Sequence, residues 1–423
     1  MKVGILGGGL AGVSAAYFLQ EKGLDVEVLE KEDECGGLCR SFLKNGFSYD
    51  LGGHIIFSKN IEILDIMLKM LGDNIQKLYR NNKIWFKNRF VKYPFENGLS
   101  TLDKEDIYDC LYGFIENKHP KPNNFKEWIY HTFGGGLAEK YLIPYNEKIW
   151  NTKAEKMGIE WVERIPKPPI EDVIKSALGI DTEGYTHQLY FHYPLKGGIQ
   201  ALISAFESKL KKVRKGFNVS KIKKNGNQWI VSDGKTEITY DRIISSMPIF
   251  DLAEALEEIP SNVKSAINKL KYNSLTVVLL GIDKKKNNDK FAVYFPQKEI
   301  VFHRICFHSY MGQWYSPEGK YSIVAEITTN PNDGVHELSD EKISSKVVDG
   351  LYREGLIDKK DVCETDVKRM KYGYVVHDLD FKNNTSLFRD YFNSIGIPLN
   401  GRFAEYEYHN MDQVVGKAHK IKV

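Results

Sequence analysis

Cysteine, net charge and long apolar runs are all scarce in this chain, and each scarcity removes a class of protein. The five cysteines, at 35, 39, 110, 306 and 363, are odd in number and irregular in spacing. They read neither as a disulfide framework nor as zinc ligands, and they fit a reducing compartment. No apolar stretch approaches the roughly 20 residues of a membrane span. The apolar N-terminal run is needed as a first strand and is not read as a secretory signal, so a cytoplasmic location is expected. A net charge of +3 over 423 residues gives no reason to expect nucleic acid. Lys209-Leu210-Lys211-Lys212 and Lys284-Lys285-Lys286 read as solvated faces or turns. No metal-ligand cluster, Ser-His-Asp arrangement or acid pair of glycosidase character stands out. The 42% hydrophobic share is that of a soluble globular protein, and the length calls for two or three domains.

What the chain does have begins at its N-terminus. Lys2-Val3-Gly4-Ile5-Leu6 has strand length, Gly7-Gly8-Gly9-Leu10-Ala11-Gly12 forms a glycine turn, and small and apolar residues follow at helical spacing as far as Lys22-Gly23. Asp25 to Glu30 is a second strand with an acid at its end. Strand, glycine turn, helix, strand and acid come in the order a dinucleotide fold requires. Gly7 allows the tight turn, Gly9 lets backbone approach a pyrophosphate beside Leu10 and Ala11, and Gly12 lets the helix sit close on the sheet. The helix start offers free N–H groups to phosphate. Glu30, with Lys31 after it, falls where a carboxylate meets an adenosine ribose.

Two segments then favour FAD over NAD: Gly36-Gly37-Leu38-Cys39-Arg40 and Gly52-Gly53-His54-Ile55-Ile56-Phe57. Glu30, Gly36-Gly37 with Leu38, and Arg40 resemble the amine-oxidase and protoporphyrinogen-oxidase class of flavoproteins. The second segment resembles the flavin-facing stretch of UDP-galactopyranose mutases. The resemblance implies that His54 lies against the isoalloxazine, that the Gly53 carbonyl receives the N5 hydrogen of reduced flavin, and that Phe57 borders the substrate.

The rest of the chain divides on this reading into an α/β fold. A Rossmann-type FAD-binding domain (1–60, 191–250, 396–423) carries an inserted, mainly helical domain (61–190) and an antiparallel β-sheet substrate domain (251–395). In the insertion, Ile63, Ile66, Met67, Met70 and Leu71 mark a buried helix face. Tyr93-Pro94-Phe95-Glu96-Asn97 is similar to a segment that holds uracil in eukaryotic mutases, which implies Tyr93, Phe95 and Asn97 as substrate contacts. Those enzymes have glutamine at the position of Glu96. Phe125 to Trp150 reads as helix, Gly134-Gly135-Gly136 turn, helix. The resemblance extends to Pro144-Tyr145-Asn146 with Trp150 and to Arg164 beside prolines 166, 168 and 169. It makes Asn146, Trp150 and Arg164 pocket candidates.

Tyr193-Pro194-Leu195-Lys196-Gly197-Gly198-Ile199 opens a helix as the chain returns to the cofactor domain, and Phe217 to Ile222 alternates as a strand. The backbone of Val219 is implied to meet adenine. In Val301-Phe302-His303-Arg304-Ile305-Cys306, alternation sets Phe302 and Arg304 on one face. An arginine in an apolar strand needs an anionic partner, either a structural carboxylate or a ligand. The family's arginine at this place grips the substrate diphosphate, and Tyr310 or Tyr315 is implied to reach the same phosphates. Asn400-Gly401-Arg402 through Tyr408-His409-Asn410-Met411-Asp412-Gln413 resembles the C-terminal mutase signature. There the arginine approaches diphosphate beside the flavin, the tyrosine touches the substrate and flavin, and Met411-Asp412 opens a helix at the FAD.

Mutases of this family exchange UDP-galactopyranose and UDP-galactofuranose without net redox change, with N5 of reduced FAD as nucleophile. The expectation is therefore a flavoenzyme with FAD, active when reduced, and a UDP-hexose substrate. It needs an external reductant, for which NAD(P)H is a candidate although no second dinucleotide motif is visible. Self-association stays open. An oxidase or desaturase of the amine-oxidase class accounts equally well for the first 53 residues, but has no use for paired diphosphate-binding arginines.

Overall fold

The computed structural model describes residues 1–165, 167–183, 189–285 and 289–422; Pro166 and the side chain of Arg164 lie outside that set. Its first layer is a parallel four-stranded sheet in the order Arg242–Ser245, Lys2–Leu6, Asp25–Leu29, Val213–Arg214. These strands are nearly continuous apolar runs because the sheet is covered on both faces. Helices Leu10–Glu21, Gln200–Glu207 and Met411–Lys420 close one face around Val13, Leu202, Ile203, Val414 and Val415. A three-stranded antiparallel sheet, Lys221–Asn225, Gln228–Ser232 and Glu237–Tyr240, lies beside it. Tyr240 from that sheet sits so tightly over Gly4 that a Cβ there would lie 2.8 Å from its ring.

The second layer is a seven-stranded sheet ordered Val362–Val376, Lys271–Ile282, Tyr321–Thr329, Arg304–Cys306, Ala292–Tyr294, Asn82–Phe86, Arg89–Lys92. It is antiparallel except where Ala292–Tyr294 runs parallel to Asn82–Phe86. The 61–190 stretch thus supplies strands as well as helices, and two of them extend this sheet. Helices Lys104–Ile115, Phe125–Leu137, Ile143–Trp150 and Ile170–Ala177 cover one face over Leu275, Val277, Leu279 and Val324. Helix Asp340–Arg353 covers the other over Val278, Leu280 and Ile323.

The expected order of helix, glycine break and helix is what forms: the Phe125–Leu137 span holds two helices that meet at a kink, with Gly134 at φ 71°. A Cβ on Gly134 would stand 1.9 Å from the Gly113 carbonyl oxygen, so the glycines serve backbone-to-backbone packing of two helices. The strand expected from Phe217 begins at Lys221, leaving Phe217 and Val219 buried in a loop. Regular alternation holds only over Arg304–Cys306, so Phe302 packs in the same cluster as Ile305 rather than sharing a face with Arg304.

Candidate active site

The cofactor cradle is built from the first turn. Gly7 has φ +102°, and a Cβ on Gly12 would lie 1.9 Å from the Gly7 carbonyl oxygen, so neither accepts a side chain. At Gly9, by contrast, an added Cβ would meet only Gly37 Cα, at 3.9 Å, so a backbone-lined space opens at the helix start. Gly9 is the N-cap and no side chain caps the helix, which leaves its first N–H groups for a ligand phosphate. Glu30 accepts from the N–H of Gly8 at 2.6 Å and of Glu32 at 2.9 Å, which fixes its carboxylate at the strand end while lone pairs remain. Arg40 binds Glu34 through Nη2, and its buried Nε has no partner among the described residues. Lys31 is exposed and lies 3.9 Å from Glu32.

The C-terminal segment packs onto this cradle. Asn400 Nδ2 donates to the Ala11 carbonyl at 3.0 Å, and a Cβ on Gly401 would be 3.0 Å from Ala11 Cβ. Arg402 donates from Nε and Nη2 to the His409 carbonyl, which aims its guanidinium across the Tyr408 ring at 4.5 Å. Asn410 caps the helix that Met411 opens and forms a capping box with Gln413. Asp412 accepts from Ser58 Oγ at 2.7 Å, while its other, buried oxygen has no partner among the described residues.

Arg304 comes from the large sheet, directly opposite Glu326 on the neighbouring strand. Its Nε and Nη2 reach the two carboxylate oxygens at 2.7 and 2.5 Å. The anionic partner that the sequence requires is therefore a structural carboxylate. Burial opposes the Arg304 charge and Glu326 outweighs it, so the guanidinium stays protonated. Glu326 also accepts from the Gly53 N–H at 3.2 Å and from Tyr374 Oη at 3.4 Å. A Cβ on Gly53 would fall 2.9 Å from Cys306 Sγ and 3.6 Å from Arg304 Cζ, so this segment lies directly on the arginine.

His54 joins the two halves. Its imidazole is pushed down to about 3, first by burial and then by the charges of Arg402 and Arg304. Both guanidiniums therefore act on one neutral ring, whose Nδ1 is buried without a partner among the described residues. Tyr374 and Tyr408 stack at 5.9 Å and 10°, and Trp150 meets both edge-on, backed by Trp161. Asn146 stands one turn before Trp150 and accepts from its Nε1 at 3.3 Å. Further out, Tyr93 and Tyr294 stack at 4.8 Å and 24°, Tyr145 meets Tyr294 edge-on, and Asn82 Nδ2 donates to Tyr294 Oη. Phe95 stacks on Tyr141, and Asn97 Nδ2 binds Thr182.

Two expected contacts lie elsewhere. Tyr310 Oη donates to the Tyr79 carbonyl at 2.6 Å and Tyr315 Oη to the Pro194 carbonyl at 2.7 Å. Both tyrosines pack with Phe191 and Phe291 rather than with Arg304, because the turn after Cys306 folds them back over that cluster. Phe57 lies in the same cluster. Arg164 ends a short 3-10 turn, Val162–Arg164, and its side chain is outside the described set. The residues that the sequence did not yield are Glu326, Tyr374, Tyr294, Tyr145 and Asn82. Glu326 carried a signal, an acid inside the apolar run Ile323 to Ile327.

The family described as flavin-containing amine oxidoreductase matches residues 164–370, and an NAD(P)-binding Rossmann-like domain matches residues 5–69. The crystal structure of reduced UDP-galactopyranose mutase superposes with a TM-score of 0.91 at 26% identity, over 99% of this chain and 94% of that one. These matches support an FAD-dependent flavoprotein similar to the amine-oxidase class. This flavoprotein is also similar to 4,4'-diapolycopen-4-al dehydrogenase of Metabacillus indicus, 24% identical over 84% of the chain and 80% of the relative. It shares 42% identity with 4,4'-diaponeurosporene oxygenase of Staphylococcus haemolyticus over 31% of the chain and 28% of that protein. Its cofactor is FAD, and the open Gly9–Gly37 cradle, the uncapped helix start and the unpartnered Arg40 Nε fit that group. No described helix is long and apolar enough to cross a membrane.

Proposed function

We propose that this flavoprotein interconverts UDP-galactopyranose and UDP-galactofuranose, or a closely related nucleotide sugar, with FAD in its reduced form. The observation that carries the reading is that Arg304, beside the Gly53 backbone, and Arg402, over the Tyr408 ring, are joined by Tyr374, which stacks on Tyr408 and donates to Glu326. When bound, reduced FAD would supply the nucleophile, N5, for the anomeric carbon of the sugar. The protein's own task is to hold the departing diphosphate in place until the ring has re-closed. Arg402, with Arg304 anchored by Glu326, provides two cationic planes for it, and such groups are worth a few kcal/mol at a developing anion. Tyr374 and Tyr408 line the same space and Trp150 closes it. The Gly53 carbonyl would accept the hydrogen on N5 of the bound cofactor. His54 is held neutral by burial and would lie against the bound ring without carrying charge. Tyr93 and Tyr294 receive the base. The test is the conversion of UDP-galactopyranose by dithionite-reduced holoprotein, read by chromatography with oxidised protein as control. Product from the reduced form alone supports the reading, and no product from either contradicts it.

A second reading is an FAD-dependent oxidase or desaturase, favoured by the carotenoid-modifying names of the curated relatives. It predicts that an apolar substrate bleaches the oxidised flavin. Paired guanidiniums at the flavin-facing segment have no role in hydride removal from such a substrate, which ranks this reading second.

A further inference from the structure

The turn that carries Arg402 and Tyr408 is built around a backbone conformation that its central residue disfavours. Tyr406 is fully buried with φ +54°, whereas the other described non-glycine residues at positive φ, Asn45, Lys87, Asn88, Asn151 and Asn332, are exposed. Left-handed φ is uncommon for any L residue and most so for a bulky one, so an aromatic held there points to a shape that the site requires. Arg389, on the helix Phe381–Ser394, faces this turn. We propose that Arg389 is a positioning residue that clamps the turn so that the Arg402 guanidinium and the Tyr408 ring stand ready for a ligand diphosphate, an inference that rests on the nucleotide-sugar reading above.

The turn closes through the Glu407 N–H, which donates to the Arg402 carbonyl at 2.8 Å. A closure of that span takes a left-handed residue just before the donor, and glycine normally supplies it. Here Tyr406 does. Its ring packs among Phe250, Phe381 and Phe403, with centroids at 5.7, 6.2 and 6.1 Å, and its Oη donates to the Lys271 carbonyl. Those contacts hold the side chain, while Arg389 holds the backbone. Its Nε donates to the Glu405 carbonyl at 2.8 Å and its Nη2 to the Tyr406 carbonyl at 3.1 Å, so one planar fork fixes the peptides on both sides of the strained residue. Arg402 in turn donates to the His409 carbonyl, one residue beyond Tyr408. The path of the chain from 405 to 407 therefore sets where both ligand-facing groups lie.

The turn also contains two acids, and both are engaged away from Arg402. Glu405 accepts from the Gly401 N–H at 3.1 Å and from Lys417 Nζ, and Glu407 Oε2 accepts from Arg389 Nη2 at 3.1 Å. An anionic ligand therefore meets an Arg402 fork that holds no carboxylate among the described residues. The acceptors of Arg389 are two carbonyls and one carboxylate of the turn, so its effect on a ligand passes through Arg402 and Tyr408. A lysine there would present a point charge that does not span those acceptors.

The experiment is isothermal titration of oxidised holoprotein with UDP, run as a double-mutant cycle on Arg389→Ala and Arg402→Ala. The Arg389 side chain is 35% exposed, so its truncation leaves the core intact, and FAD content and Tm are measured alongside. Arg389→Ala is expected to weaken UDP binding about tenfold with FAD retained, and to cost only about twofold in the Arg402→Ala background. Arg389→Lys should be nearly as weak as Arg389→Ala. Equal losses in both backgrounds, or loss of FAD from Arg389→Ala, would mark a general structural role and overturn the proposal. Unchanged UDP affinity in Arg389→Ala overturns it as well. In each of these cases wild type still binds UDP and the nucleotide-sugar reading stands; wild type that does not bind UDP overturns that reading and the proposal together.

Discussion

Arg304 and Glu326 face each other across adjacent strands and are joined by two hydrogen bonds of 2.7 and 2.5 Å, and the same carboxylate accepts the Gly53 N–H. One buried acid thus holds both a diphosphate-binding candidate and the flavin-facing backbone. Removing one partner of a buried pair costs about 3–5 kcal/mol, because the other charge is left uncompensated. Glu326→Gln is expected to destabilise the protein by that order in urea titration and to lower turnover as well. A variant with wild-type stability and rate would remove Glu326 from the account.

Among the described residues Arg402 has no carboxylate in its fork; its guanidinium lies on the His409 carbonyl and the Tyr408 ring. Arg402→Ala should lower kcat by roughly a hundredfold or more while FAD remains bound. Near-normal turnover would sink the diphosphate assignment.

His54 is held neutral, with its imidazole near 3 through burial and the two arginines. The pH profile of kcat should therefore show no inflection near the usual histidine value of about 6.5 from this residue. His54→Ala should slow single-turnover conversion with the flavin retained, and an unchanged single-turnover rate would take His54 out of the site.

The Glu96 carboxyl is raised from 4.5 to about 7 by burial. A raised acid is bound more tightly to its proton in the folded state, so folding carries no penalty below pH 4.5 and the full penalty above pH 7. Glu96→Gln is expected to unfold at the same denaturant concentration as wild type near pH 3.5, about one unit below the unfolded value, and to gain up to about 3 kcal/mol at pH 8. Equal gains at both values would show that the group is not titrating as described.

The first 57 residues were legible because their signals are local: each glycine, the strand pair and the acid lie within one βαβ unit. Arg402 and Tyr408 were legible as a compact motif. The need for a partner at Arg304 followed from burial alone, but which acid supplied it did not, since Glu326 is brought opposite by strand pairing 22 residues away. Tyr374 and Tyr294 were missed for the same reason. They come from different strands of a seven-stranded sheet, and only its register sets them against Tyr408 and Tyr93. Tyr310 and Tyr315 show the converse: proximity in sequence to Arg304 did not place them near it, because backbone carbonyls of Tyr79 and Pro194 claim their hydroxyls.

The most direct test of the central claim is redox balance during turnover. Reduced holoprotein would be held under anaerobic conditions with excess UDP-galactopyranose, and the flavin absorbance and the nucleotide sugars followed together. The account predicts many equivalents of an isomeric product of unchanged mass while the flavin stays reduced throughout. A product two hydrogens lighter or heavier than the substrate, formed in step with a change in flavin redox state, would contradict it.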